Sequence, residues 1–282
     1  MEPLAFTKMH GLGNDFVVID GRRTPITLSA GQTRALANRR TGVGCDQVII
    51  VEPPVDPRAD AFMRIRNADG GEVGACGNAT RCVAAMLMRE MDGNGARVET
   101  AAGLLEAYAA GDGLIRVDMG ELRFDWEQIP LAQPCDTLHL PVGAGPLQDA
   151  VAVNVGNPHA VFFVDSVEAV VLEELGPVIE HHPLFPQAAN VEAAQILARD
   201  RVRVRVWERG VGMTRACGTG ACATVAAGVR RGLMDRTAEV VLDGGVLWIH
   251  CLDNGHVTMT GPVAISFTGT LDPSLLAAPK ES

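Results

Sequence analysis

The stretch "RACGTGACATVAAGVRRG", residues 215–232, decides the fold. Cys217 stands before a run of Ala, Gly, Val and Thr, which predicts a helix over residues 219–231 that Gly232 ends. A helix with small or apolar residues on nearly every face has no polar side to present to water, so it is not a surface helix. We therefore expect this helix to be enclosed by other elements.

A second segment of the same kind occurs earlier in the chain. In "GACGNATRCVAAMLMRE", residues 74–90, Cys76 precedes a helix predicted over residues 78–91, and "DGNG" follows it. Other phrases repeat too: "GLGNDFVVID" (11–20) resembles "NVGNPHAVFFVD" (154–165), and "CDQVIIV" (45–51) aligns with "AANVEAAQI" (188–196). The matched positions lie 143 or 141 residues apart, and they are Asn14 and Asn157, Gln47 and Asn190, Asn67 and Glu208, and Cys76 and Cys217. A nearly constant offset indicates a duplicated unit.

Strand patterns surround both cysteine helices. The segments predicted as strands are 16–20, 47–52, 61–68, 97–100, 150–155, 160–165, 202–210, 239–251 and 256–261. Two further helices are predicted at "AGQTRALANRR" (30–40) and "VEAVVLEELGPVIEHH" (167–182). We expect an α/β (α+β) protein of two pseudo-symmetric domains, each a β-barrel-like sheet wrapped around a central helix. The expected boundaries are 1–118, with the strand segment 264–282 returning to it, and 119–263.

Composition limits the class of protein. With 47% hydrophobic residues, a net charge of −10 and a pI of about 5.2, the chain reads as a soluble globular protein without a general attraction for nucleic acid or anionic membranes. The start "MEPLAFTKMHGLGNDF" lacks the apolar core of a signal peptide, and no apolar run is long enough to span a bilayer. We therefore expect a cytoplasmic protein, in which the seven cysteines are free thiols.

The two helix starts suggest chemistry. The first turn of a helix exposes unpaired N–H groups and the positive end of the helix dipole, so we expect it to lower the pKa of Cys76 and Cys217 and to bind a carboxylate. Gly77 and Gly218 let a ligand approach the backbone closely. If the two halves present both thiols to one carbon, one thiolate removes a proton and the opposed thiol returns one. The pattern therefore predicts inversion at carbon.

Simpler interpretations exist for the cysteines. Cys45, Cys82, Cys135, Cys222 and Cys251 are expected to be small buried hydrophobic residues. No His or Cys cluster has zinc-ligand spacing, so we expect no metal site. From another class of protein, a thiol-based redox sensor or binding module also fits two thiols in one cleft.

Five motifs together resemble the diaminopimelate epimerase family: "FTKMHGLGNDF", "RNADGGEVGACGNATRC", "GNPHAV", "NVE" and "RACGTGACA". The resemblance runs from Phe6 to the strands near Phe267. It implies two similar α/β domains and an enzyme that needs neither pyridoxal phosphate nor a metal. It further implies interconversion of LL- and meso-2,6-diaminoheptanedioate, on the route to lysine, by a homodimer. The runner-up is a proline or hydroxyproline racemase, which shares the two-cysteine plan, whereas the related phenazine-biosynthesis isomerases lack the cysteine pair.

The resemblance also assigns roles to single residues. Cys76 and Cys217 are the implied acid–base pair, and His159 and Glu208 are implied to tune the thiols. The implied substrate-binding positions, including the backbone donors that receive a carboxylate, are Asn14, Gln47, Asn67, Gly77, Asn78, Asn157, Asn190, Glu208, Arg209, Gly218 and Thr219. The Asn, Gln and Arg residues among them suit a substrate with two ammonium and two carboxylate groups. Amides both donate and accept hydrogen bonds, and the arginine guanidinium can donate two hydrogen bonds to one carboxylate.

Overall fold

The computed structural model describes residues 4–277, which divide into two compact units. The first unit takes the described residues up to Val117 together with those from Pro262 onward, and the second is Asp118–Gly261. Each unit combines a mixed sheet with a central helix and one further α-helix.

In the first unit, strands precede and follow each of the two α-helices. Its elements are β1 (Leu4–Gly11), β2 (Asn14–Asp20), α1 (Ala30–Ala37), β3 (Gln47–Glu52), β4 (Ala61–Asn67), β5 (Glu72–Val73), α2 (Gly77–Met91), β6 (Gly95–Thr100), β7 (Gly103–Ala109) and β8 (Leu114–Glu121). Along the sheet the pairings run β1–β2 antiparallel, β2–β3 parallel, β3–β4 antiparallel, β4–β6 parallel, then β6–β7 and β7–β8 antiparallel.

The second unit repeats this plan. Its elements are β9 (Val151–Asn154), β10 (Pro158–Phe163), a 3₁₀ turn (Val167–Ala169), α3 (Leu172–Glu180), β11 (Asn190–Ala198), β12 (Arg201–Glu208), β13 (Gly212–Thr214), α4 (Gly218–Arg230), β14 (Thr237–Leu242), β15 (Gly245–Cys251) and β16 (His256–Pro262). The pairings run β9–β10 antiparallel, β10–β11 parallel, β11–β12 antiparallel, β12–β14 parallel, then β14–β15 and β15–β16 antiparallel. A last strand, β17 (Ala264–Leu271), returns to the first unit and pairs with β1.

The order of parallel and antiparallel pairs is therefore the same in both units. The register is also the same, because Phe16 stands opposite Gln47 between β2 and β3, and His159 stands opposite Asn190 between β10 and β11. The short strands β5 and β13 each pair with the strand that leads toward a cysteine helix. The predicted class, α/β with two pseudo-symmetric halves around central helices, is confirmed.

The two cysteine helices are enclosed, as predicted. Ten of the thirteen residues of α4 and ten of the fifteen of α2 are buried. The helix α4 contacts β9, β10, β11, β12, β14 and β15, so the sheet of the second unit curves around it. Short Ala and Gly side chains allow this close approach from several sides. Asp92, in the left-handed conformation at φ 51°, ends α2, and Gly232 at φ 67° follows α4.

The two other predicted helices are shorter than expected. Ser29 caps α1 in a capping box with Gln32, but the helix stops at Ala37. The single helix predicted over residues 167–182 is wrong, because it breaks into the 3₁₀ turn and α3 around Val170. Val170 is extended, and the carbonyls of Val167 and Val170 accept from the Arg205 guanidinium. Two adjacent β-branched valines also favour a break, since they lose rotamer freedom in a helix.

Several strands lie outside the predicted set, among them β1, β7, β8 and β11. In β1 the pattern is hidden by Lys8, a buried residue whose ammonium is held by the Asp15 carboxylate and the Gly44 carbonyl. In β11 it is hidden by alanines and by the buried Glu192. The alternating pattern of both strands is obscured for the same reason. An ionisable residue in the sequence suggests a solvent-facing position, although here its side chain points into the core.

The position of β12 depends on α3. The Trp207 indole donates to Glu180 Oε2 at 2.7 Å, and the backbone N–H of Gly210 donates to Glu180 Oε1 at 2.7 Å. Gly176 leaves room for the indole, since a Cβ there would collide with it. The turn that carries Glu208 and Arg209 is thereby fixed to α3. Among residues 4–277, no helix combines the length and the apolar character that a membrane span requires.

We expect Gly176→Ala to destabilise the protein by about 1–3 kcal/mol, because overpacking against Trp207 outweighs the better helix propensity of alanine. Urea denaturation measures the change. Val178→Ala, at an exposed position of the same helix, is the control and should change the free energy of unfolding by less than about 0.5 kcal/mol. Equal stability of Gly176→Ala and the parent would contradict the proposed contact.

Candidate active site

In the first unit, Cys76 is the N-cap residue of α2 and is only partly exposed. Its backbone is extended, at φ −151° and ψ 109°, so the chain turns into the helix directly after the sulfur. Cys76 Sγ lies 3.8 Å from Asn14 Oδ1, and Asn78 Nδ2 donates to the same oxygen at 3.1 Å. An amide oxygen is an acceptor, so it can receive a hydrogen bond from the thiol.

The orientation of the Asn14 amide is set by a charged cluster behind it. Asn14 Nδ2 donates to Asp46 Oδ2 at 3.0 Å, and Asp46 Oδ1 accepts from Arg39 at 2.6 Å. Burial raises the pKa of the neighbouring Asp15, but hydrogen bonds from Arg39 and Lys8 outweigh it and hold that pKa at about 2. Asp15 therefore stays charged at neutral pH, and because the Asn14 Nδ2 is held by Asp46, the Asn14 oxygen is directed toward Cys76.

Gln47 and Asn67 form a second polar group in the first unit. They are opposite each other on β3 and β4, and Gln47 Nε2 donates to Asn67 Oδ1 at 2.9 Å. The buried Gln47 Oε1 accepts no hydrogen bond from any of residues 4–277. This acceptor suits an ammonium group.

In the second unit, Cys217 is the N-cap residue of α4 and is only 4% exposed. The backbone N–H of Gly220 donates to Cys217 Sγ at 3.4 Å, and the Thr219 hydroxyl lies 3.5 Å from the sulfur. Asn157 Nδ2 donates to Thr219 Oγ1 at 3.4 Å. These contacts connect the sulfur to the start of β10.

The expected lowering of the thiol pKa is wrong for Cys217. Burial raises the pKa of Cys217 well above its ordinary value, and the neighbouring carboxylate of Glu208 raises it further. The donors at the helix start, Gly220 N–H and the Thr219 hydroxyl, lower it by less. Desolvation of the thiolate therefore outweighs the helix dipole, which acts strongly only on a partly solvated sulfur.

Glu208 ends β12 beside Cys217. Its carboxyl accepts a hydrogen bond from the Thr214 hydroxyl and one from the Cys217 thiol. Burial raises the pKa of Glu208, while these two hydrogen bonds lower it. Glu208 thus holds the Cys217 proton on sulfur.

His159 connects two parts of the second unit. Its Nε2 lies 2.8 Å from Asn157 Oδ1, and its Nδ1 lies 2.7 Å from Glu192 Oε1. Neither His159 nor Glu192 has any exposed surface. Sequence reasoning did not assign a role to Glu192. The available signal was an acidic residue two positions after Asn190 in the phrase "NVE".

Asn190 and Arg209 lie together at the end of β12. Asn190 Nδ2 donates to the Pro158 carbonyl at 3.0 Å, and Asn190 Oδ1 accepts from the backbone N–H of Arg209 at 3.0 Å. The Arg209 side chain is exposed and donates through one nitrogen to the Gln187 carbonyl at 3.0 Å. Asn190 therefore holds the turn from which the guanidinium projects.

The residues assigned by the resemblance form hydrogen-bonded groups within each unit. In the first unit these groups are Cys76 with Asn14 and Asn78, and Gln47 with Asn67. In the second they are Cys217 with Thr219, Asn157, His159 and Glu208, and Asn190 with Arg209. Gly77 and Gly218 are the first helical residues after the two thiols.

Four of the five remaining cysteines are buried, as the simpler interpretation predicts. Cys45, Cys82, Cys222 and Cys251 are buried, and Cys135 is partly buried. Burial raises the pKa of Cys45 and of Cys251 to about 11 and that of Cys82 to about 12. Such thiols are poor proton carriers at neutral pH.

We expect Glu208→Gln to speed alkylation of Cys217 by iodoacetamide at pH 8, by up to about tenfold. Removing the carboxylate charge lowers the pKa of the thiol, and each unit of pKa is a tenfold change in the thiolate fraction. Mass spectrometry of the peptide that contains Cys217 measures the rate between about pH 7 and 10. Glu173→Gln, at an exposed residue bonded to Arg205, is the control and should leave the rate unchanged. An unchanged or slower rate in Glu208→Gln would show that its charge does not act on Cys217.

Comparison with known proteins assigns the family. The family model described as diaminopimelate epimerase matches residues 6–124 and 151–266. A diaminopimelate epimerase from Rhodospirillum centenum is 61% identical over 274 residues, which cover 96% of this chain and 93% of that protein. One from Erythrobacter litoralis is 56% identical and covers 95% of this chain and 97% of that protein. The resemblance of the motifs is confirmed.

Solved structures of lower identity share the fold. A hydroxyproline epimerase from Agrobacterium vitis has a TM-score of 0.70 at 18% identity, covering 98% of this chain and 94% of that one. A phenazine biosynthesis protein from Bacillus anthracis has a TM-score of 0.68 at 17% identity, covering 96% of this chain and all of that one. Matched by the family model over most of its length and by relatives at more than half identity, the chain belongs to the diaminopimelate epimerase family of isomerases.

Proposed function

We propose that this protein interconverts LL- and meso-2,6-diaminoheptanedioate without a cofactor, using Cys76 and Cys217 as its acid–base pair. One observation carries the proposal. In a chain of this family, both units begin their enclosed central helix with a cysteine at the N-cap. Two thiols at equivalent positions of two equivalent units suit a reaction that needs one proton carrier on each face of a carbon.

In the proposed reaction, one thiolate takes the proton from the α-carbon and the other thiol gives a proton to the opposite face. The C–H bond that breaks and the C–H bond that forms lie on opposite sides, so the configuration inverts. The charge that develops on the carboxylate is stabilised by the N–H groups at Gly77–Asn78 and Gly218–Thr219, which begin the two helices. The thiol and thiolate exchange roles in the reverse direction.

Binding of the proposed substrate also favours ionisation of the thiol. Cys217 faces the Glu208 carboxyl, which favours its protonated form. An α-ammonium group next to Glu208 offsets its negative charge and lowers the pKa of Cys217. Ionisation of the thiol is thereby coupled to binding.

The two ends of the substrate require different partners. Neutral amides both donate and accept, which suits an ammonium beside a carboxylate, and Asn14, Gln47, Asn67, Asn157 and Asn190 supply them. Arg209 is proposed to bind the distal carboxylate, because its exposed guanidinium offers a two-pronged set of donors. A compact cyclic amino acid has no group for this arginine.

We expect Cys76→Ala and Cys217→Ala each to reduce epimerisation by at least about a thousandfold, since each removes the proton carrier on one face. The measurement is deuterium incorporation at the α-carbon of LL- and meso-2,6-diaminoheptanedioate in D₂O. Cys135→Ala, at a partly buried thiol outside the site, is the control and should keep parent activity. Cys→Ser variants should still eliminate halide from a halogenated analogue, because that step needs a single base. Normal turnover in either alanine variant would contradict the two-base scheme.

The same experiment separates the alternative functions. Exchange with proline and none with diaminopimelate would replace the proposal with a proline or hydroxyproline racemase. Exchange with neither compound, together with a reversible Cys76–Cys217 disulfide, would favour a thiol redox or binding protein.

We further infer a cytoplasmic homodimer that acts in lysine biosynthesis. The support for self-association is β17, whose Ile265 and Phe267 are 42% and 49% exposed while the strand pairs with β1. An exposed apolar strand face of this kind favours contact with a second copy. We expect sedimentation to give a dimer and Phe267→Glu to shift it toward monomer. A parent that sediments as a monomer would contradict this inference.

A further inference from the structure

The two units differ at one buried pair of positions. In the first unit, Phe16 on β2 and Ile49 on β3 have no exposed surface. The equivalent positions of the second unit, read from the common register, hold His159 on β10 and Glu192 on β11, also without exposed surface. Apolar packing satisfies the first unit at this point, so the fold itself does not require an ionisable pair.

The hydrogen bonds of His159 determine how many protons the pair holds. Both ring nitrogens face oxygens, Glu192 Oε1 at 2.7 Å and Asn157 Oδ1 at 2.8 Å. A neutral imidazole carries only one N–H, so it cannot donate to both oxygens. The pair therefore needs a second proton, and in that state His159 Nε2–H donates to Asn157 Oδ1.

The surroundings place this second proton on Glu192. Glu192 Oε2 is buried and accepts no hydrogen bond within residues 4–277, which is costly for a carboxylate and tolerable for a carboxylic acid. The charged or titratable groups nearby are His159, Glu208 and Cys217. Of the two acids, Glu208 has two donors, Thr214 and Cys217, so Glu208 holds the negative charge.

The result is a chain of contacts that ends at the proposed catalytic sulfur. Because His159 occupies Asn157 Oδ1, the Asn157 amide group turns its Nδ2 toward Thr219 Oγ1, at 3.4 Å. Thr219 Oγ1 in turn lies 3.5 Å from Cys217 Sγ. Gly220 makes room for this arrangement, since a Cβ there would stand 2.9 Å from Glu192 Oε1 and 3.3 Å from Cys217 Sγ.

We propose that Glu192 is a positioning residue that stays protonated, donates to His159 Nδ1, and so orients the Asn157 amide beside Cys217. Its role in turnover rests on the proposed epimerase function, whereas its protonation and its effect on His159 do not. The neutral pair fixes a ligand-binding amide without adding a second negative charge next to the thiol.

The first test reads the proton positions in the intact protein. Ring ¹⁵N spectra of histidine-labelled protein, recorded at neutral pH, should show His159 as a neutral imidazole protonated on Nε2. The double variant His159→Phe/Glu192→Ile, which copies Phe16 and Ile49, assigns the signal and preserves the packing. A neutral ring protonated on Nδ1, or an imidazolium, would overturn the proposal.

The second test uses the pH dependence of Cys217 alkylation. Glu192→Gln keeps a donor for His159 Nδ1 and removes no charge if Glu192 is protonated, so its profile should match the parent. A shift of about one pH unit toward lower pH, as a lost carboxylate would cause, would overturn the proposal. This result does not depend on which substrate the protein uses.

Turnover then tests the positioning role. Glu192→Gln should keep kcat within about threefold of the parent, whereas Glu192→Leu, which leaves His159 Nδ1 without a partner, should reduce kcat at least about tenfold. Rescue by glutamine but not by leucine supports the orientation of Asn157 by a protonated acid. Equal activity of both variants would overturn that role, while failure of diaminopimelate exchange in the parent would instead remove the proposed function.

Discussion

The first turns of two enclosed helices impose the central constraint of this structure. A helix start has backbone N–H groups without intrahelical partners, and in a buried helix these groups require a partner other than bulk water. Cysteine is a weak acceptor, and the Gly220 N–H reaches Cys217 Sγ only at 3.4 Å. Strong caps such as the Ser29–Gln32 box of α1 are absent from the described starts of α2 and α4. The N–H groups at both starts therefore suit an anion.

The same constraint explains which parts of the fold follow from the sequence. Small residues on every face of residues 219–231 require enclosure, and the spaced phrases around Asn14 and Asn157 require duplication, so both features were predictable. The strands β1 and β11 were not, because each buries an ionisable side chain whose partner lies on another segment of the chain. Local pattern cannot show that Lys8 faces inward until Asp15 and Gly44 are known to meet it.

The candidate site, too, could be predicted from the sequence only in part. Residue types around the thiols were assigned through family motifs, but the pKa of Cys217 depends on how deeply the strands bury it and on the approach of Glu208. The start of a helix, and so its dipole, can be predicted from sequence, whereas desolvation depends on how the unit packs. For the pKa of Cys217, desolvation outweighs the dipole. Glu192 was missed for a related reason. Its meaning comes from contact with His159 across the β10–β11 pair.

The pairing of β17 with β1 affects when the first unit can complete its sheet. Leu4 on β1 stands opposite Leu271 on β17, so the first unit takes a strand from a segment that follows the whole second unit. The second unit is continuous from Asp118 to Gly261, so all of its strands precede β17 in the chain. Until β17 is in place, β1 presents an open edge, and a chain that lacks β17 would be prone to edge-to-edge association.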